Sequence, residues 1–178
     1  MKNWKDNYSK IAAIVALISL GCIRAIQEFD IKAADWQTGL LQIIFTIALL
    51  LCLYGFSIVG QKTNTKLIKT GAQIAMATQV LFKILLILYL MKIEIMASFP
   101  ALNTIASIAS AAAYLLLGYG IIQLKFYNNR TTNVVGWIIM LYGALSLSPE
   151  YAVFNTIVIW ALLLSFMLFF TPMNSSEK

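Results

Sequence analysis

Long apolar stretches without a single charge constrain this chain more than any other feature. From Gly39 to Val59, and again from Ala97 to Leu124, no Asp, Glu, Lys or Arg occurs. At about 1.5 Å rise per residue, some 20 apolar residues in a helix cross a hydrocarbon layer of about 30 Å. Six such segments run along the chain, at 11–29, 39–59, 67–91, 97–124, 134–147 and 151–170. The fifth is short, bounded by Asn133 and by the turn Ser148-Pro149-Glu150. In lipid the backbone must satisfy its own hydrogen bonds, which leaves helices or closed barrels. Barrel strands are short and alternate in polarity, whereas these runs are continuously apolar. The expected fold is therefore all-α: a six-transmembrane-helix bundle forming a single transmembrane domain over 1–178.

Composition narrows the chemistry. Of 178 residues, 61% are hydrophobic and 11% charged, against roughly 45–50% and about 25% in soluble domains. Six spans leave only short loops and tails, with no room for a soluble catalytic domain. Histidine is absent, which removes imidazole bases, haem ligation, HExxH zinc sites and Ser-His-Asp triads. Cys22 and Cys52 fall on different spans at different depths, so neither a disulfide nor a thiol-based metal site is expected. No cofactor is expected either.

The formal charge of +6 reads as membrane topology rather than a nucleic-acid footprint, because the basic residues sit in short turns. Lys2, Lys5 and Lys10, then Lys62, Lys66 and Lys69, then Lys125 and Arg130 occupy the tail and alternate turns. The opposite turns hold only Lys32 and Lys92 beside Glu28, Asp30, Asp35, Glu94 and Glu150. The positive-inside rule puts both termini in the cytoplasm of a cell membrane. A basic tail leading to Ser19-Leu20-Gly21-Cys22 also resembles a lipoprotein cleavage site, although Ser19 stands where an aliphatic residue is usual; an uncleaved first span is expected.

An internal repeat is also visible. Shifted by 65 residues, Leu50–Ile74 overlies Leu115–Ile139 with seven of 25 positions identical. Tyr54-Gly55 pairs with Tyr119-Gly120, Asn64 with Asn129, and Gly71 with Gly136. The spacing predicts a duplicated two-helix hairpin in parallel orientation. With its short basic turns, Pro100 and Pro149 at the opposite turns and glycine-punctuated spans, the chain resembles the HdeD-type membrane proteins. That resemblance supplies no site residue.

Charges inside spans are costly and point to function by default. Arg24 lies near the outer end of the first span, within reach of Glu28 one turn on, and its long stem suits a snorkelling anchor. Lys83 lies deeper, about 13 Å from the outer end of its span at helical rise, with Gln79 one turn away on the same face. Gln42, Asn103 and Asn155 fall at a similar outer level on the second, fourth and sixth spans. Thr38, Gln42 and Thr46 share one stripe, as do Asn103, Ser107 and Ser110. If these faces converge they form an outward, cationic vestibule for a small anionic or polar ligand, a lipid headgroup included. The plainer reading is that the amides and hydroxyls hold helices together, at roughly 0.6 kcal/mol per contact. The small-residue run Ala106–Ala113 and the pair Ala12 and Ala16 read as packing seams within the bundle or between protomers.

Enzymatic activity is not expected; Lys83 with Ser107 or Ser110 is the remaining nucleophilic option. A proton-coupled carrier normally needs a carboxylate at mid-depth, and all seven acids lie at the tails or near the outer surface. The composition therefore favours a non-enzymatic, membrane-embedded subunit or scaffold, with the bilayer and a membrane protein or second copy as partners. The alternative is a small transporter, channel or lipid-binding protein built around Lys83.

Overall fold

The computed structural model describes residues 4–29, 35–90, 99–124, 129–147 and 152–170. Within these, the side chains of 4–7, 28, 35, 86–90, 99–100, 129–130 and 152–156 are not described. All the regular structure among the described residues is helical, in six helices: α1 (Trp4–Glu28), α2 (Asp35–Lys62), α3 (Lys66–Leu90), α4 (Phe99–Ile122), α5 (Asn129–Leu145) and α6 (Ala152–Phe169). Each matches one apolar segment. Among the described residues, three contain stretches long and apolar enough to cross a membrane: Tyr8–Gln27, Trp36–Lys62 and Ala101–Ile122.

The helix ends depart from the apolar runs. α1 starts at Trp4 instead of Ile11, and α5 at Asn129 instead of Val134. Hydropathy reports where a side chain prefers to sit, whereas a helix continues wherever its next backbone bond can form. α2 stops by a different device. Asn64 takes a left-handed backbone, with φ 54°; Thr65 N–H donates to the Gly60 carbonyl at 2.9 Å and Asn64 N–H to the Gln61 carbonyl at 3.3 Å. This six-to-one plus five-to-two pattern is a Schellman cap. The positionally matched Asn129 instead opens α5, so the two asparagines of the sequence repeat occupy different backbone settings.

Each helix packs on its sequence neighbours, and α6 returns to α1, giving a ring. Small residues permit the close approaches. A Cβ on Gly71 would lie 2.7 Å from Leu117 N and 2.9 Å from the Ala113 carbonyl, so α3 and α4 meet backbone to backbone. Gly55 faces Ser9 and Phe170, bringing α2 against α1 and α6. Gly21 admits the Trp160 ring edge, 3.2 Å from its would-be Cβ, so Trp160 serves as a packing residue between α6 and α1.

The half of the ring nearest the α2–α3 turn is filled. Phe56 packs its ring 4.9 Å from Phe166, 4.9 Å from Phe169 and 4.8 Å from Phe170, centroid to centroid. Ile68, Leu117, Ile121 and Val135 complete this apolar plug. The outer faces are apolar as well: Ile18, Ile43, Ile84, Ile105, Leu141 and Ile157, one from each helix, are 48–62% exposed.

Candidate functional site

At the opposite end, away from the α2–α3 turn, the ring opens into a cavity of about 420 Å³ walled by α3, α4 and α5. α3 turns Gln79, Phe82, Lys83 and Leu85 into it. α4 supplies Asn103, Ser107 and Ser110, spaced to form one stripe of a 3.6-residue helix. α5 adds Tyr142 and Ser146. Next along the α4 stripe comes Tyr114, fully buried. Its hydroxyl accepts a hydrogen bond from Gln79 Nε2 at 3.4 Å, and its ring stands edge-on to Tyr142 with centroids 4.8 Å apart.

The hydroxyl groups fall into two states. Ser107 donates to the Asn103 carbonyl at 2.9 Å, and Ser146 to the Gly143 carbonyl at 2.7 Å. A carbonyl oxygen can only accept, so both serine protons are committed to the helices. Ser110 differs: it is 4% exposed and, among the described residues, has no hydrogen-bond partner. Buried hydroxyls are ordinarily bonded. Lys83, partly buried on the facing wall, likewise has no hydrogen bond or ion pair among the described residues.

Lys83, Gln79 and Asn103, three of the six residues read from the sequence as site candidates, thus share one cavity. Arg24 and Gln42 do not line it. Arg24 donates from Nη1 to Gln27 Oε1 at 3.2 Å, while the Gln42 carbonyl accepts from Thr46 Oγ1 at 2.7 Å. Ring order puts α1 opposite α4 and α3 between α2 and α4, and α1 and α2 turn Leu20, Ile23, Ala48 and Leu49 toward the core. The Asn155 and Glu28 side chains lie outside the described residues. Tyr142 and Ser146 were not anticipated. Their i, i+4 spacing near the outer end of the fifth span was the available signal, but a tyrosine there also fits an interfacial belt.

No family model, curated protein or solved structure matches this chain, so the resemblance to HdeD-type proteins gains no support.

Proposed function

We propose that this chain is a non-enzymatic integral membrane protein of six spans, built as one domain, that binds a small anionic or polar ligand in the α3–α4–α5 vestibule. The observation that carries this reading is the pairing in one cavity of a cation, Lys83, with a buried hydroxyl, Ser110, neither of which has a partner among the described residues. A helix-gluing role would bond both groups to neighbouring helices, as Gln79 of α3 bonds the Tyr114 hydroxyl of α4. The apolar outer faces on all six helices support a lipid environment, since soluble monomers rarely expose contiguous apolar patches beyond a few hundred Å². The α5 helix of 17 residues spans about 26 Å at helical rise, a mismatch that local thinning and interfacial side chains absorb.

Both termini and the α2–α3 and α4–α5 turns face the cytoplasm of a cell membrane, with the vestibule opening to the other side; loop charge supports this orientation. The hairpin α2–α3 and the hairpin α4–α5 derive from a duplication, supported by the shared Tyr-Gly and glycine punctuation. The aromatic plug beneath the vestibule favours a binding protein over an open pore.

Membrane-embedded subunit or scaffold is the second reading, supported by the scarcity of reactive side chains in the sequence. Ala12, Ala16, Ala106 and Ala113 are buried within the chain itself, whereas Ala112 of the same run is exposed and stays open to a partner.

The test uses the purified full chain in mild detergent, with thermal unfolding measured against anionic lipids and soluble oxyanions. Ligand-dependent stabilisation that vanishes in Lys83→Met is expected. A wild type unaffected by every anion, co-purifying with a stoichiometric membrane partner, would replace this reading with the subunit role. Impermeant thiol labelling of cysteines introduced at Lys32 and Asn64, in a chain lacking Cys22 and Cys52, checks the orientation: only position 32 should react from outside.

A further inference from the structure

We infer that the vestibule selects a hydroxylated oxyanion: a phosphate ester or carboxylate that carries its own hydroxyl groups. This rests on the vestibule being a ligand site, and concerns which chemistry it prefers. Donors and acceptors both line the cavity, and the amides of Gln79 and Asn103 bring one of each. Lys83, with the hydroxyls of Ser110 and Tyr142, whose protons have no acceptor among the described residues, offers donors, and donors suit an oxyanion. Ser107 and Ser146 have given their protons to the Asn103 and Gly143 carbonyls, so their oxygens meet the cavity with lone pairs.

A bare anion such as sulfate presents acceptors only. Placed in this cavity it would satisfy Lys83 and Ser110 yet turn lone pairs toward two serine oxygens. Relief would require those serines to break intrahelical bonds of 2.9 and 2.7 Å. A ligand with hydroxyls beside its anionic group avoids that conflict, because each hydroxyl donates to a serine oxygen. Size agrees. A cavity of about 420 Å³ lies within the range of roughly 300–1,000 Å³ typical of small-molecule sites, and is far larger than the share of about 30 Å³ that one water takes. Phe82 and Leu85 add an apolar wall for a carbon backbone. A lipid headgroup and a free polyol phosphate share this chemistry.

The test compares matched pairs on the full chain in detergent, by native mass spectrometry and thermal shift. The lipid pair is phosphatidylglycerol against phosphatidylmethanol, equal in charge and differing in headgroup hydroxyls. The soluble pair is glycerol 3-phosphate against methyl phosphate. Two additional hydrogen bonds predict a preference of about tenfold for the hydroxylated member. Preference in the lipid pair alone assigns a membrane headgroup; preference in the soluble pair as well assigns a free ligand, and either outcome supports the inference. The double variant Ser107→Ala, Ser146→Ala should keep anion binding and lose the preference, whereas Lys83→Met should lose both. Equal binding within both pairs, or a preference surviving the double serine variant, overturns the inference and leaves the anion site standing. Absence of binding by any probe removes the site itself. The wild-type comparison decides alone if the double variant does not fold.

Discussion

Gly118 of α4 and Gly136 of α5 meet back to back. A Cβ on Gly118 would lie 2.5 Å from the Gly136 carbonyl oxygen, and one on Gly136 would lie 2.7 Å from the Gly118 carbonyl oxygen. Backbone stands on both sides, so no rotamer change can make room. In the lipid setting proposed above, where tails are as apolar as leucine, helix association depends on this kind of close approach. It also sets the position of α5, and hence of Tyr142 and Ser146.

Gly118→Ala should therefore destabilise the bundle by about 1–3 kcal/mol, the usual range for overpacking. This is larger than the gain of up to about 1 kcal/mol from better helix propensity. Gly39 supplies the control, since nothing lies within 4 Å of its would-be Cβ. Gly39→Ala should be neutral or stabilising. Detergent-denaturant unfolding followed by circular dichroism measures both, and equal effects at the two positions would refute the packing argument.

Asn64 carries the second prediction. Its φ of 54° costs most L-residues roughly 1–2 kcal/mol, while glycine adopts it freely. Asn64→Gly should match or exceed the wild type in unfolding midpoint, and Asn64→Val should lose about 1 kcal/mol or more. If the valine variant unfolds with the wild type, the Schellman turn does not limit stability.

Helix number was legible in the sequence because continuous apolar runs leave few alternatives. Depth was legible too: counting residues from the turns placed Gln79, Lys83 and Asn103 at related levels, and they line one cavity. Azimuth was not. Which helix faces which depends on ring order, set by approaches such as Gly71 on Leu117 and Gly118 on Gly136, and hydropathy carries no trace of that order. Arg24 and Gln42 were grouped with Lys83 for their depth alone. Tyr142 and Ser146 were overlooked because α5 offers neither a charge nor an amide at that level.

The Gln79–Tyr114 bond links the vestibule to the plug beneath it. Its length, 3.4 Å, and the average for interhelical hydrogen bonds in membranes both point to a modest contribution of about 0.6 kcal/mol. Tyr114→Phe, which keeps the ring against Tyr142, should cost about that much. In a double-mutant cycle with Gln79→Leu, the coupling energy should be similar. Zero coupling would show that the two groups are neighbours without an energetic bond.

Lys83 provides the strongest contrast between stability and binding. In the membrane setting proposed above, an amine in the hydrocarbon region costs about 2.5–3.5 kcal/mol at the centre of an inserting helix, less where a wet cavity receives it. No partner among the described residues offsets this cost for Lys83. Methionine has a similar length and no charge. Lys83→Met should therefore raise the ligand-free unfolding midpoint, by a fraction of that cost, while abolishing stabilisation by anions. Lys83→Arg should retain the charge and part of the binding, in a cavity crowded by the larger guanidinium. A methionine variant less stable than the ligand-free wild type would mean that the amine holds the bundle together, and that ligand binding is not its reason for being there.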